Sequence, residues 1–417
     1  MAENKSWWKA IGPGILFAGT AIGVSHLVQS TRAGAEYGWL MLGVILLANL
    51  LKYPFFEFGA RYAAYTGHHL LHGYRQLSKA FLVLYLVLSL ATLFTVSAAV
   101  TMVTAGLLTQ VLPGFTPWQL ALGLYIVFWL VLVVGRYRWL DLGIKVMGGV
   151  LLITTLAAFV GAALQGATAP EAATPSFALL WEPQHLFFVV ALVGWMPTAL
   201  DISSWHSLWT VARNRDAGKA QEPGGRSTIM DFNLGYALSA LTALCFLALG
   251  RWLLYGTGAT LPASAGGFAQ VIIDLFTQAL GSWARPVVLA AAITTMLSTS
   301  LTVLDGYSRV MQEGIRELKP RWVEGPTFFR VFAALMAVGG LLIIRYFTGH
   351  LRSLVDLAMV ISFLISPIIA LINYRLVTHA GFPQEGRPGR VLKGLAWLGM
   401  VFLLGFAAVF VSLFFFS

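Results

Sequence analysis

Gly19-Thr20-Ala21-Ile22-Gly23-Val24-Ser25-His26 and Val193-Gly194-Trp195-Met196-Pro197-Thr198-Ala199-Leu200-Asp201 are the two stretches on which the fold turns. Each places glycine or proline in the middle of an apolar run that would otherwise continue as helix. Glycine leaves the backbone loose, and proline removes a helical hydrogen bond. Inside a bilayer such a break is tolerated only where protein or a watery cavity satisfies the freed N–H and C=O groups. Two breaks at corresponding places in the halves of one chain therefore point to a secondary transporter with its site at mid-membrane.

The surrounding composition agrees. The 417 residues are 58% hydrophobic and 11% charged, with a mean hydropathy of +0.78, which leaves too little polar surface for a soluble domain. A crossing helix needs about 20 apolar residues. Eleven such spans are expected, at 12–33, 38–63, 80–108, 118–135, 139–163, 185–211, 231–255, 284–307, 327–347, 352–376 and 392–416. Residues 266–282 are expected to form an amphipathic helix outside the membrane. No cleavable signal peptide is read at the N-terminus, because the first apolar run continues as a span. The breaks fall in spans 1 and 6, so the chain divides as five, five and one. This gives a first repeat at 12–163, an inverted second repeat at 185–376, and span 11 at 392–416. The expected fold class is an all-α polytopic membrane protein.

With a cytoplasmic N-terminus, nineteen Lys and Arg residues fall in cytoplasmic loops. Only Arg32, Arg251, Arg285, Arg345 and Arg352 fall on the other side. That asymmetry obeys the positive-inside rule. It places the N-terminus inside and the C-terminus outside, with the bacterial inner membrane as the expected location. The net charge of +10 is then spread over loops facing anionic lipid. The partners to expect are the bilayer and a small-molecule or ion substrate, with no nucleic acid. The single cysteine, Cys245, excludes an internal disulfide and a cysteine metal cluster. No phosphate-binding loop and no nucleophile–base–acid set is present, so neither ATP-driven pumping nor an enzyme is expected, and no cofactor.

Several short motifs occur in a particular order: Gly12-Pro13-Gly14, Ala33-Gly34-Ala35-Glu36-Tyr37-Gly38, Arg61-Tyr62-Ala63-Ala64-Tyr65-Thr66-Gly67, Met196-Pro197, Ser298-Thr299-Ser300 and Arg309-Val310-Met311-Gln312-Glu313-Gly314. Together they resemble the Nramp family of divalent-metal transporters. The resemblance implies a LeuT-like fold of two inverted five-helix repeats plus an eleventh helix, with the substrate held between spans 1 and 6. It also exposes departures. The family's Asp-Pro-Gly-Asn metal motif aligns with Gly23-Val24-Ser25-His26, which has neither carboxylate nor amide. The histidine that follows Met-Pro in the family is Thr198, and span 3 reads Leu88 to Thr95 without a charge.

The candidate substrate-binding residues are Gly23, Ser25, His26, Val193, Trp195, Met196, Thr198 and Asp201. Of these, His26, Met196 and Asp201 would make a mixed imidazole, thioether and carboxylate site for a softer metal ion. Asp201 is the one acid near either break, and an ionisable residue inside a span is a functional candidate by default. It could equally hold a helix end, serve a gate or pair with an arginine. His26 could ligate a metal, carry a proton or simply pack. Thr295, Ser298 and Thr299 could hold a coupling sodium ion, or bond neighbouring helices. An organic solute such as an amino acid or amine is the alternative cargo, with its carboxylate at a half-helix N-terminus. Trp195 and Trp205 would then contact its apolar or cationic body. Lys52, Glu57, Asp141, Lys145, Asp305 and Asp356 are further charges in or beside spans, most of them near span ends where long side chains can snorkel, with Glu57 and Arg61 as a structural pair.

Overall fold

The computed structural model of the chain describes residues 13–134, 138–169, 172–173, 175–216, 225–323 and 325–415. Lys5, Lys9, Gly12, Arg136, Pro170 and Lys219, and the side chains of Asp141 and Lys145, lie outside the described residues.

Nine helices are long and apolar enough to cross a membrane among the described residues. They are α3 (Leu40–Thr66), α5 (Lys79–Leu108), α6 (Pro117–Val134), the 148–165 part of α7 (Arg138–Gln165), α10 (Gly225–Leu253), α12 (Ala284–Leu318), α13 (Thr327–Tyr346), α14 (Leu351–Thr378) and α15 (Arg390–Phe415). The other two crossings are the broken ones. Span 1 is α1 (Pro13–Ala21), a π-helical turn at Ser25–Ser30, and α2 (Thr31–Tyr37). Span 6 is α8 (Pro183–Gly194) and α9 (Ile202–Asp216), separated by residues 195–201. At 9, 12 and 15 residues, α1, α8 and α9 are each too short to cross alone. The expected eleven spans are therefore present, with edges moved by a few residues.

Two shorter helices complete the set. α4 (Leu70–Leu77) links spans 2 and 3, and α11 (Ala265–Leu280) lies where the amphipathic helix was expected. Ser264 caps α11 by accepting from Gly267 N, and its Phe268, Ile272 and Phe276 face is buried against α5, α7 and α12. The i, i+4 spacing of those three residues is what makes one side of the helix apolar.

The broken spans sit at the centre. α1 and α2 pack along α10, α8 packs along α14, and α9 along α3, while α5 and α12 pack on each other. The contact of α2 with α10 is close enough to be made by backbone alone. A Cβ on Gly34 would stand 1.9 Å from the Leu247 carbonyl oxygen, and one on Gly250 would stand 2.1 Å from that of Thr31. Small residues allow such approach where lipid supplies no hydrophobic drive for helix association. Gly250→Ala is therefore expected to push these helices apart and lower stability by about 2 kcal/mol or more. Thermal unfolding in detergent would check this.

Lys52, Glu57 and Asp356 depart from the expectation that such charges snorkel at span ends. Lys52 is 0% exposed, Glu57 1% and Asp356 7%. A charge so buried must be paired or hydrogen-bonded. Glu57 pairs with Arg61 at 2.5 Å, as expected. Asp356 and Lys52 find partners that only the tertiary fold supplies.

Candidate transport site

The two breaks touch. Ser25 Oγ lies 2.9 Å from the Ala21 carbonyl and 3.2 Å from the Pro197 carbonyl, which stands 172 residues away. Residues 20–31 and 188–207 are all buried, so the junction is closed off within the protein. Cavities of about 420 Å³, beside Tyr62, Tyr65 and His379, and about 620 Å³, beside Glu36, Tyr255 and Arg352, lie at the two ends. Neither is lined by a residue of the breaks.

Asp201 is the single acid in both buried stretches. Its Oδ2 accepts from the Tyr307 hydroxyl at 2.8 Å, and its carbonyl accepts from Tyr85 at 3.2 Å and from Ser204 Oγ at 2.8 Å. The Tyr85 and Ser204 hydroxyls are also bonded to each other. Asp201 Oδ1 has no hydrogen-bond partner among the described residues. A buried carboxylate oxygen without a donor is costly and is the natural contact for a cation.

Lys52 is the second charge. Its Nζ donates to the carbonyls of Val193 at 2.9 Å, Gly194 at 2.9 Å and Thr198 at 3.0 Å. These include the last carbonyls of α8, which a broken helix leaves without intrahelical partners and with the negative end of its dipole. Three acceptors require three N–H donors, which the ammonium has and the neutral amine lacks. Lys52 Nζ thus caps the broken end of α8 through three carbonyls. Asp201 interacts with it electrostatically, while all three of its N–H groups go to carbonyls.

The other candidates separate. His26 points at α10: Nε2 donates to the Ser239 carbonyl at 2.9 Å, and Nδ1 lies 2.8 Å from Ser25 Oγ. Nε2 is thus engaged at α10, and Nδ1 with the Ser25 hydroxyl that also reaches the Pro197 carbonyl. Trp195 Nε1 donates to Ser362 Oγ on α14 at 2.9 Å. Met196 is fully buried between Trp195 and Pro197 in the break. Gly23 faces α12, where a Cβ would meet Thr299 Cγ2 at 3.1 Å. Thr299 Oγ1 lies 3.0 Å from the Thr295 carbonyl and 3.5 Å from that of Gly19. Thr295 Oγ1 is buried without a partner among the described residues, and Ser298 is buried on the same helix. No group of three or more His, Cys, Asp or Glu placed to hold a metal occurs among the described residues.

At the end of span 1 away from the N-terminus, Arg32 Nη1 donates to both oxygens of Asp356 on α14, at 3.0 and 2.8 Å. Gln29 adds a bond to Asp356 at 2.5 Å, and Glu36 bridges Arg32 at 3.0 Å and Arg352 at 3.4 Å. This network ties span 1 to span 10 over the junction.

Lys52, Tyr307, Tyr85, Arg32 and Asp356 are the participants that sequence reasoning left out of the site. Lys52 carried a usable signal. It lies twelve residues inside α3, beyond the reach of a snorkelling side chain.

Residues 14–413 match the natural resistance-associated macrophage protein-like family, Nramp. The chain belongs to that family. Nramp proteins are transporters, so this chain is a membrane transporter and not an enzyme. It is 35% identical to an uncharacterised protein of Pasteurella multocida over 98% of this chain and 94% of the relative. It is 24% identical to the divalent metal cation transporter MntH of Latilactobacillus sakei over 77% of this chain and 72% of the relative. The crystal structure of a manganese transporter of Eremococcus coleocola superposes with a TM-score of 0.75 at 17% identity, covering 100% of this chain and 90% of that one. MhsT in complex with L-phenylalanine gives a TM-score of 0.60 at 14% identity, covering 96% and 98%. Such likeness shows the fold: LeuT-like, all-helical, with two inverted five-helix repeats and an eleventh helix.

Proposed function

We propose that this Nramp protein is a secondary-active transporter that moves a small cation by alternating access at the junction of broken spans 1 and 6. The observation that carries this reading is Asp201, a buried carboxylate beside touching helix breaks with one oxygen left unpaired. A metal ion as cargo is supported by family membership and by the divalent metal cation and manganese transporters among its relatives. The family's span 1 carboxylate is absent here, so Asp201 supplies the negative charge. The carbonyls of Gly23 and Met196 and the side chains of Ser25, Met196 and Thr198 complete the surroundings, with His26, Val193 and Trp195 framing them. Thr295, Ser298 and Thr299, of which Thr299 lies 3.5 Å from the Gly19 carbonyl, are the place for a coupling sodium ion.

The repeats run over 12–163 and 185–376, with span 11 at 392–416. The N-terminus is cytoplasmic and the C-terminus external in a bacterial inner membrane, on the charge asymmetry of the loops. A second reading, an organic solute, is favoured by one observation: Lys52 already occupies three carbonyls of the span 6 break, leaving fewer oxygens for a metal. Proteoliposomes decide between them. Uptake of Mn²⁺, K⁺ or Na⁺ above that of empty vesicles is the expected result. Uptake of amino acids, with no flux of a metal ion or a protonated amine, would replace the cation reading with the second one.

A further inference from the structure

The ammonium of Lys52 stands where a cation transporter would be expected to offer bare carbonyl oxygens. It is 0% exposed, and its three bonds reach across 141 to 146 residues to Val193, Gly194 and Thr198. Phe56, one turn further along α3, presents its ring 5.8 Å from the same nitrogen. Asp201, the acid of the junction, follows three residues after Thr198, whose carbonyl accepts from Lys52.

We propose that Lys52 sets the charge selectivity of the junction, holding down the affinity for a doubly charged ion and favouring a cargo with one positive charge. The inference rests on the cation reading above and narrows it. Divalent ions draw most of their binding energy from carboxylates. Here a single carboxylate, Asp201, stands three residues beyond Thr198, whose carbonyl holds the Lys52 ammonium, so one negative and one positive charge share the empty junction. A singly charged cargo leaves one excess positive charge in a buried place; a divalent ion leaves two. The cost of an uncompensated buried charge grows with its square, and the repulsion from Lys52 doubles with the charge of the ion. A protonated amine and an alkali ion share the favoured chemistry, a single positive charge with the capacity to contact Asp201 Oδ1. Removing the Lys52 charge while keeping hydrogen-bond donors should therefore help Mn²⁺ more than either.

The test is a titration of the purified full-length protein in detergent with Mn²⁺, K⁺ and methylammonium, by calorimetry, in wild type, Lys52→Gln and Lys52→Arg. Glutamine keeps two N–H donors for the carbonyls, and arginine keeps the charge. Lys52→Gln is expected to raise the affinity for Mn²⁺ relative to K⁺ and methylammonium by roughly tenfold or more, and Lys52→Arg to leave the ratio near that of wild type. An unchanged ratio in folded Lys52→Gln overturns the inference while the cation reading stands. Should Lys52→Gln fail to fold, the wild-type series decides: Mn²⁺ binding more than about tenfold tighter than both singly charged ions overturns the inference. Mn²⁺ binding no tighter than they do sustains it. Absence of binding by all three ions in wild type overturns the cation reading itself, and this inference with it.

Discussion

Replacing Asp201 by asparagine is expected to abolish cation uptake, by at least about a hundredfold, with little loss of stability. The amide oxygen can still accept from Tyr307, and the backbone carbonyl still accepts from Tyr85 and Ser204. The local frame is therefore kept. What disappears is the only negative charge in the two buried breaks, while the three carbonyl acceptors of Lys52 are kept. An ion about 4 Å from a carboxylate gains about 4 kcal/mol at an effective dielectric constant near 20, and losing that amount lowers affinity by roughly a thousandfold. Flux in proteoliposomes and unfolding temperature, measured on the same preparation, separate loss of the site from loss of the fold. Asp201→Asn that transports cations at the wild-type rate would mean the cargo does not use this carboxylate.

The second large effect is expected at the far side of the junction. Asp356→Ala leaves the Arg32 guanidinium, whose side chain is 12% exposed, without its bidentate partner. Removing one member of a buried ion pair costs about 3–5 kcal/mol, and the remaining bond to Glu36 keeps the loss near the lower figure. Because Arg32 belongs to span 1 and Asp356 to span 10, the loss falls on the conformation in which those spans are closed together. The conformation open on that side, external in the proposed orientation, gains population accordingly. Cys245 is the sole cysteine and is buried, so Cys245→Ser gives a clean background for a probe at Thr31→Cys, a position that is 0% exposed here. Asp356→Ala is expected to speed labelling of that probe by an impermeant maleimide at least about tenfold. Unchanged labelling would show that the outer side is held shut by something other than this network.

The two breaks were legible because glycine and proline act locally. Gly23, Gly194 and Pro197 weaken a helix wherever it is packed, so their positions in the sequence locate the junction directly, whereas Gly19 is carried within α1. Asp201 was legible for a related reason, since an acid inside an apolar run is conspicuous before any contact is known. The direction in which each side chain points was not legible. His26 sits in a π-helical turn, whose extra residue per turn rotates the side chains away from the face that a regular helix would give. There the imidazole is engaged with Ser239 of α10 and with Ser25. Lys52 shows the same limit more strongly. Its depth in span 2 is visible in the sequence, but its three carbonyl partners exist only once span 2 packs against the break in span 6. The family resemblance supplied the frame, and it left the chemistry of the junction to the residues that differ.

The most direct test of the central claim, that a cation binds at Asp201 between the broken spans, is thermal unfolding of the purified protein in detergent. Mn²⁺, K⁺, Na⁺, amino acids and amines would be titrated against wild type and Asp201→Asn. A ligand at one hundred times its dissociation constant adds about 2.7 kcal/mol to the folded state. Stabilisation of that order by a cation in wild type, absent in Asp201→Asn, is the predicted result. Indifference to every cation, with stabilisation by an amino acid that persists in Asp201→Asn, would contradict it.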